Sequence, residues 1–219
     1  MTPESSTEKT IFLVRHAEAA GIDQEKRYLG QQNPDLSSVG IHQAEKLRRA
    51  FRSYPIQAVF TSDLLRAVHT ALLIVKDHHC QPERIRGFRE ISLGEWEGRT
   101  FQEVQAQYPE EYEQRGQDIV NYRTPGGESF ADLQKRVLPA FTEVMERTKG
   151  NSVIVAHAGV NRVILCHIMQ RPLKELFSIP QDYAAVNILR KNMGSYRVVA
   201  VNMDSDSLMS RADMTGQSR

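Results

Sequence analysis

The sequence predicts an α/β fold with a largely parallel sheet, because short apolar runs alternate with longer stretches of helical character. The runs at residues 10–14, 56–60 and 152–156 have the length and β-branched content of buried strands. Each run is followed by a segment that can form a helix, and strands that alternate with helices build parallel sheets. A chain of 219 residues is long enough to bury one substantial core, so a single domain is expected.

Helix starts can be assigned along the first half of the chain. Ser37 and Ser38 open a helix that continues to about Phe51, with apolar residues at helical spacing inside it. The polar cluster at 61–63 directly follows the second apolar run and is typical of a helix start. A weaker third strand is expected at residues 83–89.

The second half of the chain continues the same pattern. Ser129 and Asp132 have the spacing of a capping box and precede a long helical segment. The apolar stretch 159–169 is helical in pattern, and it directly follows the 152–156 strand. The last two apolar runs, 185–189 and 195–201, predict a β-hairpin.

Three stretches stand apart from this pattern. Residues 1–9 are polar and are expected to form a flexible N-terminus, and residues 202–219 lack periodicity and are expected to form a disordered tail. Residues 10–201 are expected to form the single domain. Within it, the acidic segment 94–127 is only partly helical in pattern, so we interpret it as a cap-like insertion over one end of the sheet.

Composition and charge argue against several classes of function. The net charge of +1 gives no whole-molecule field that would favour nucleic acid or an anionic membrane. No apolar run approaches the roughly 18 residues of a membrane span. Two cysteines, Cys80 and Cys166, make a poor disulfide framework, so a reducing cytoplasm is the expected location. The DHHC sequence at 77–80 offers too few ligands for a zinc site.

Basic and imidazole side chains follow the predicted strands at the points where they end. Arg15 and His16 come directly after the first strand, His157 follows a later strand, and Arg66 lies about one turn beyond another. The carboxyl ends of parallel strands meet at one edge of the sheet, where ligands of open α/β sheets bind. Two arginines and two histidines gathered there need an anionic ligand, and the planar guanidinium group suits phosphate.

Five sequence blocks resemble motifs of the histidine phosphatase (phosphoglycerate-mutase-like) superfamily, in the expected order over residues 10–201. They are LVRHAE at 13–18, TSDLLRAVHTA at 61–71, RE at 89–90 with GEWEG at 94–98, PGGES at 125–129 and VAHAG at 155–159. One such block is a weak signal, whereas five in order are highly specific. The resemblance implies a three-layer α/β/α sandwich around a mostly parallel sheet.

The resemblance also implies a role for each matched residue. His16 would be the nucleophile that takes the phosphoryl group, and Glu90 would be the acid that protonates the departing oxygen. Arg15, Arg66 and His157 would bind the phosphoryl oxygens and stabilise their charge. Because this basic cage carries the charge that a metal would otherwise supply, neither a metal nor a cofactor is expected.

Further substrate contacts are expected around this cage. Many family members carry an asparagine six residues beyond the nucleophile, where this chain has Ile22, so another residue would replace that contact. Alanine stands at positions 17 and 158 in place of the family's glycine, which makes the expected pocket tighter. Glu128 and Ser129 would line the pocket rim or would only begin a helix. The residues expected to bind phosphate or substrate besides the cage are Ala158, Arg27, Asn33, Glu128 and Ser129.

The predicted function is hydrolysis of a phosphomonoester through a phosphohistidine intermediate. The blocks RYLGQ at 27–31 and PGGES at 125–129 are similar to those of α-ribazole phosphatases, so the expected partner is a small phosphorylated metabolite such as α-ribazole 5′-phosphate. The alternatives are phosphoglycerate mutase-type transfer, a phosphohistidine protein phosphatase and a weakly catalytic module that binds phospho-ligands. Glu95 and Glu97 are alternative acids to Glu90. The oligomeric state stays open, with a homodimer among the options.

Overall fold

Six β-strands form one sheet in the part of the chain that the structure describes. The computed structural model describes residues 8–21 and 27–216, without the side chains of 213–216. The predictions for residues 1–7, Ile22 and 217–219 lie outside this part. The strands are β1 (Lys9–Arg15), β2 (Ala58–Thr61), β3 (Pro82–Arg84), β4 (Ser152–Ala156), β5 (Val186–Asn192) and β6 (Ser195–Met203).

The strands lie in the order β3-β2-β4-β1-β5-β6, and the first four in this order are parallel. β1 pairs in parallel with β4, and β2 pairs in parallel with β4 and β3. β5 runs antiparallel to β1, and β6 runs antiparallel to β5 as the predicted hairpin. The prediction of a mostly parallel sheet is therefore confirmed.

Helices cover both faces of this sheet, and most of them begin where the sequence predicts. Ser37 accepts a hydrogen bond at the start of the first helix, and Ser129 forms the expected capping box with Asp132. The α-helices are α1 (Ser38–Phe51), α2 (Leu65–Val75), α3 (Phe101–Gln107), α4 (Pro109–Gln117), α5 (Phe130–Arg147), α6 (Ala158–Ile168) and α7 (Ser205–Gly216). Short 3₁₀ turns lie at Arg86–Phe88, Gly94–Trp96 and Leu173–Ser178.

Alternate residues of β1 hold the layers together. Ile11 and Leu13 pack in one core cluster with residues of α5 and α6, whereas Phe12 and Val14 pack in another with residues of α1, α2 and α7. Successive side chains of a strand point to opposite faces, so these two clusters lie on opposite sides of the sheet. Both faces are covered by helices, which confirms the three-layer α/β/α sandwich.

The third strand is shorter than the sequence predicts. β3 ends at Arg84, and a 3₁₀ turn at Arg86–Phe88 follows it within the predicted 83–89 strand. Close packing against α5 accounts for this turn, because a Cβ atom added at Gly87 would lie 2.6 Å from the Cβ atom of Ala140. The chain can approach the helix this closely only where residue 87 has no side chain.

The two ends of the segment 94–127, which the sequence analysis interprets as an insertion, meet in the structure. The N–H of Glu95 donates to the carbonyl of Pro125 at 3.0 Å. Gly94 has a φ of +52°, and an added Cβ atom would lie 2.0 Å from the same carbonyl oxygen, so this junction requires glycine. The side chain of Trp96 is fully buried, and its ring centroid lies 5.3 Å from that of Tyr28. The insertion is thereby packed onto the loop that precedes α1.

The C-terminal segment differs from the expected disordered tail. Residues 205–216 form α7, and the carboxylate of Asp204 accepts a hydrogen bond from the N–H of Ser207 at its start. Leu208 and Ala212, four residues apart, are buried on one face of this helix. The hydroxyl of Tyr54 donates to the carbonyl of Leu208 at 2.9 Å. Among the described residues, no helix is both long enough and apolar enough to span a bilayer.

Candidate active site

The register of β1 and β4 brings the two predicted active-site histidines together. Arg15 pairs with Ala156 across these parallel strands, so the next residues, His16 and His157, leave the sheet side by side. The N–H of His16 donates to the carbonyl of Ala156 at 2.9 Å. The two imidazole rings meet edge to face, with their centroids 5.0 Å apart. Both rings are buried, with exposed fractions of 3% and 0%.

Arg66 contacts the nucleophile candidate from the first turn of α2. Its Nε donates to Nε2 of His16 at 3.2 Å. Its two terminal nitrogens donate to loop carbonyls, Nη1 to Gln32 at 2.5 Å and Nη2 to Gly30 at 2.9 Å. Burial lowers the pKa of Arg66 to about 10, so the guanidinium stays protonated at neutral pH. A planar cation is thus held in one orientation against the imidazole.

The hydrogen bonds of His16 identify its tautomer. Nδ1 lies 2.7 Å from the carbonyl oxygen of Ala17. Because a carbonyl only accepts, Nδ1 carries the proton, and Nε2 accepts from Arg66 through its lone pair. Burial, followed by the charges of Arg66 and Arg15, lowers the pKa of His16 well below its usual value of 6.5. The ring is therefore neutral at physiological pH, with the lone pair that a nucleophile needs on Nε2.

Arg15 lies beside this ring at the end of β1. Its Nη1 donates to the carbonyl of Gln181 at 2.5 Å, and its guanidinium carbon lies 3.7 Å from the ring centroid of Tyr183. The buried Nε has no hydrogen-bond partner among the described residues. Burial lowers the pKa of Arg15, although nearby acidic groups oppose this effect. The side chain is restrained on two sides and has a donor left for a ligand.

His157 is the most deeply buried member of the group. Neither ring nitrogen has a hydrogen-bond partner among the described residues. Burial, followed by the charges of Arg66 and His16, lowers the pKa of His157 well below 6.5. Burying a polar group without a hydrogen-bond partner lowers the free energy of unfolding by roughly 1–3 kcal/mol, so this imidazole destabilises the folded protein. Such an arrangement is typical of a group that binds a ligand.

Glu90 faces the same site from the turn after β3. Its Oε2 accepts from the N–H of Gly159 at 3.0 Å, and its Oε1 accepts from the N–H of Ile91 at 2.9 Å. Arg89 next to it forms a two-bond ion pair with Asp63, both bonds being 2.7 Å long. This ion pair connects the turn to the segment that precedes α2. The acid candidate and Arg66 are therefore fixed relative to each other.

The two alternative acids lie outside the cavity. Oε1 of Glu97 accepts from the N–H groups of Gln31 and Leu93, at 2.9 and 3.0 Å, and so connects two loops. Glu95 is exposed on the 3₁₀ turn of the insertion. Of these three carboxylates, Glu90 is the one that lines the cavity beside His16. The geometry favours Glu90.

A cavity of about 340 Å³ opens beside His16, whereas His157 lies behind its lining. Its wall contains Arg115 from α4 and Arg162 from α6, neither of which the sequence analysis identified. Burial lowers the pKa of both guanidinium groups. Arg162 could have been found, since it lies four residues after Ala158 and therefore on the same helical face. Aromatic rings also line the cavity: Tyr28, Phe101, Phe130, Phe177 and Tyr183.

The remaining predicted contacts divide into two groups. Ala158 lines the cavity at the first position of α6, and Arg27 lies at the rim, where its Nη1 donates to the carbonyl of Gly98 at 3.0 Å. Asn33, Glu128 and Ser129 lie outside the lining of the cavity.

The three residues outside the cavity have other structural partners. Oδ1 of Asn33 accepts from the N–H of Leu65 at 2.6 Å, which caps α2 where its own N-cap side chain forms no bond. Ser129 caps α5 through Asp132. Glu128 pairs with Arg136 through two hydrogen bonds of 2.8 Å. In the described part of the chain, no group of three or more His, Cys, Asp or Glu residues could hold a metal ion.

Comparison with known proteins agrees with this geometry. A family model described as the histidine phosphatase superfamily, branch 1, matches residues 11–204. The chain belongs to this superfamily. The match covers the central sheet, the insertion and all the residues of the basic cage, and it confirms the family that the five sequence blocks predict.

Curated relatives of the chain act, by their names, on different substrates. The 6-phosphofructo-2-kinase/fructose-2,6-bisphosphatase of Arabidopsis thaliana is 34% identical over 174 residues, which is 78% of this chain and 22% of that protein. Phosphoserine phosphatase 1 of Hydrogenobacter thermophilus is 29% identical over 180 residues, 82% of this chain and 85% of that protein. The chain thus spans less than a quarter of the length of the bifunctional relative but most of the second one.

Solved structures of similar fold include other phosphatases. The α-ribazole phosphatase from Shigella flexneri superposes with a TM-score of 0.82 at 24% identity, over 89% of this chain and 96% of that one. Bacillus stearothermophilus YhfR superposes with a TM-score of 0.81 at 29% identity, over 90% of this chain and 97% of that one. The first likeness shows the fold of the chain and carries no argument about its substrate.

Proposed function

We propose that the protein is a phosphomonoesterase that transfers the phosphoryl group of its substrate to Nε2 of His16. The observation that carries this proposal is the neutral His16 ring, which lines the cavity and whose Nε2 accepts a hydrogen bond from Nε of Arg66 at 3.2 Å. This lone pair becomes free for attack when a phosphoryl oxygen replaces Nε2 as the acceptor of the Arg66 N–H. Attack by this lone pair forms an N–P bond and breaks the P–O bond of the ester. Glu90 gives its proton to the departing alkoxide.

The second half of the reaction returns the enzyme to its starting state. Water attacks the phosphorus of phosphohistidine, Glu90 takes the proton from that water, and the N–P bond breaks to release inorganic phosphate. Arg15, Arg66 and His157 would hold the equatorial oxygens through both steps. The two guanidinium groups carry the positive charge that a metal ion supplies in other phosphatases, and the neutral His157 ring adds one hydrogen-bond donor, so we propose that the reaction needs no metal.

The substrate that this cavity suits is a small metabolite with a second anionic group. The 340 Å³ cavity is bounded by the insertion, which disfavours a folded phosphoprotein as substrate. Arg115 and Arg162 lie in its wall, and the structure gives Arg115 no ion pair among the described residues, only ring contacts at 5.7–5.9 Å. Fructose 2,6-bisphosphate and phosphoserine, named for two relatives, both carry a second acidic group.

A second candidate substrate follows from the aromatic lining of the cavity. Tyr28 and Phe101 lie with ring centroids 4.4 Å apart, and Phe130 and Phe177 meet edge to face at 5.6 Å. Such rings bind planar aromatic groups. They favour a substrate such as α-ribazole 5′-phosphate, which has an aromatic base and one phosphate.

The reaction type is tested with p-nitrophenyl phosphate in the presence of EDTA. We expect hydrolysis to persist in the chelator and His16→Ala to lower kcat/KM by roughly 10³-fold or more. His42→Ala, on an exposed face of α1, is the matched control and should leave the rate unchanged. Loss of activity in EDTA, or a near-normal rate for His16→Ala, would show the mechanism to be wrong.

The substrate class is tested by ranking kcat/KM for phosphorylated metabolites, including sugar bisphosphates, phosphoserine, α-ribazole 5′-phosphate and 3-phosphoglycerate. Arg115→Gln should lower kcat/KM for substrates with a second anionic group and leave p-nitrophenyl phosphate nearly unaffected. Arg147→Gln, a surface ion-pair variant at the end of α5, is the control. Isomerised phosphoglycerate among the products would instead indicate a mutase. The cytoplasmic location and the oligomeric state stay predictions.

A further inference from the structure

Arg136, on α5, uses all of its hydrogen-bond donors on one short segment and one carboxylate. Nη1 donates to the carbonyls of Gly87 and Arg89 at 3.0 and 2.8 Å, and Nη2 donates to the carbonyl of Glu90 at 2.8 Å. Nε and Nη2 also donate to the two carboxylate oxygens of Glu128, both at 2.8 Å. A guanidinium has five N–H donors, so every one of them is engaged.

Glu128 extends this arrangement to the other side of Glu90. Its Oε2 accepts from the N–H of Ser92 at 2.9 Å, and its own N–H donates to the carbonyl of Ser92 at 2.8 Å. Burial alone would raise the pKa of Glu128, but its bonds to Arg136 and to the Ser92 N–H outweigh burial and lower it. The carboxylate therefore stays ionised. The backbone is tied to Arg136 and Glu128 both before and after Glu90.

Neither residue of this ion pair reaches the substrate cavity. Arg136 and Glu128 are absent from its lining, whereas Glu90 is part of it. Both are about a quarter exposed at the side chain, so the pair is shielded from solvent on most sides. The pair can affect the reaction through the segment 87–92, whose one cavity-facing carboxylate is Glu90, or through the charge of Arg136, which helps to lower the pKa of His157. Arg136→Lys keeps that charge and therefore tests the first route.

We propose that Arg136 and Glu128 are positioning residues that fix the Glu90 carboxylate for proton transfer to the leaving group. The inference rests on the proposed function, in which Glu90 is the general acid. Proton transfer needs donor and acceptor within hydrogen-bond reach, and a displacement of about 1 Å can cost roughly 10²-fold in rate. Lysine cannot replace Arg136, because three N–H donors from one nitrogen cannot span three carbonyls and a carboxylate.

The dependence of the rate on the leaving group separates positioning from general structural support. p-Nitrophenolate is a stable anion that departs without a proton, whereas phenolate is a poorer leaving group that depends more on the acid. The comparison uses kcat/KM for phenyl phosphate and p-nitrophenyl phosphate, because this ratio reports only the steps up to cleavage of the P–O bond. The later hydrolysis of phosphohistidine, common to both substrates, does not affect it.

We expect Arg136→Lys to lower kcat/KM for phenyl phosphate about tenfold more than for p-nitrophenyl phosphate. Glu128→Gln, which keeps an acceptor for Ser92 but loses the charge, should shift the ratio in the same direction by less. Arg147→Lys on the same helix weakens an exposed ion pair with Glu83 and a contact with the Phe60 ring, neither of which lines the cavity, and should leave the ratio unchanged. Thermal unfolding of each variant verifies that it is folded. If Arg136→Lys does not fold, the ratio measured for Glu128→Gln tests the inference instead.

A double-variant cycle identifies the group through which Arg136 acts. If Arg136 acts through Glu90, adding Arg136→Lys to Glu90→Gln should cause no further loss with phenyl phosphate. Equal losses for both substrates in the single variant, or additive losses in the double variant, would overturn the inference. If Glu90→Gln alone leaves the ratio of the two substrates unchanged, the acid assignment in the proposed function is itself wrong.

Discussion

Acidification is expected to destabilise the folded protein through its two active-site histidines. Burial, with the neighbouring arginine charges, lowers the pKa of both His16 and His157 well below the usual value of 6.5. In the unfolded chain both return to about 6.5. Below that pH the unfolded chain binds protons that the folded protein does not bind, so stability present above about pH 6.5 is lost as the pH falls.

The size of this loss follows from the two titrations. Between about pH 7.5 and about pH 5.5, a histidine that titrates only in the unfolded state lowers the free energy of unfolding by about 1.4 kcal/mol. Two such histidines together lower it by about 3 kcal/mol, a large part of the 5–15 kcal/mol typical of a folded domain.

Urea unfolding in phosphate-free buffer measures this loss. Trp96 is the single tryptophan of the chain and is fully buried, so its fluorescence reports unfolding of the insertion together with the domain. His157→Gln should lose about 1.4 kcal/mol less than the wild type over the same pH interval. His42→Gln, an exposed control, should behave as the wild type. If His157→Gln and the wild type lose equal stability, His157 is not a buried neutral group.

Three further changes test separate parts of the structure. Arg66→Lys should lower kcat/KM for p-nitrophenyl phosphate roughly 10²-fold, because an ammonium cannot bond the nucleophile and two loop carbonyls together; a loss of less than about tenfold would contradict this. Gly159→Ala would place a Cβ atom 2.5 Å from Oε1 of Glu90. It should therefore slow hydrolysis of phenyl phosphate more than that of p-nitrophenyl phosphate, and identical kinetics would show that the carboxylate moves freely. Ser129→Ala should lower the free energy of unfolding by about 1 kcal/mol through loss of the capping box, with KM unchanged. An increase in KM would instead indicate a substrate contact.

The sheet and the cage could be predicted from the sequence because local signals determine both. A short apolar run followed by a basic or imidazole residue marks the end of a buried strand, and parallel strands place their ends at one edge. His157 directly follows such a run, His16 is the second residue after another, and Arg66 lies six residues beyond a third, in the helix that follows it. Once the order of the strands is known, these side chains are expected to meet, and Arg66 and His16 are in contact at 3.2 Å.

The outer cavity and the C-terminal helix could not be predicted in the same way. Arg115 lies on α4, a polar helix with no buried residue, and only docking of the insertion carries it to the cavity. Glu128 belongs to the PGGES block, which resembles a motif of the family, but its ion-pair partner Arg136 lies two turns into the next helix. The spacing of the two residues in the sequence does not show whether Glu128 pairs with Arg136 or faces solvent. Among the α7 side chains that the structure describes, 205–212, two apolar ones are buried, Leu208 and Ala212, too few for a clear helical period.

The hydrogen bond between Glu95 and Pro125 has an evolutionary consequence. Because the insertion leaves and re-enters the domain at neighbouring points, its length can change without stretching the sheet. Doubling a loop of this kind costs only about 0.6 kcal/mol of closure entropy. Segments of other lengths and sequences could therefore stand at this junction and change the wall of the cavity, while the candidate active site stays unaltered.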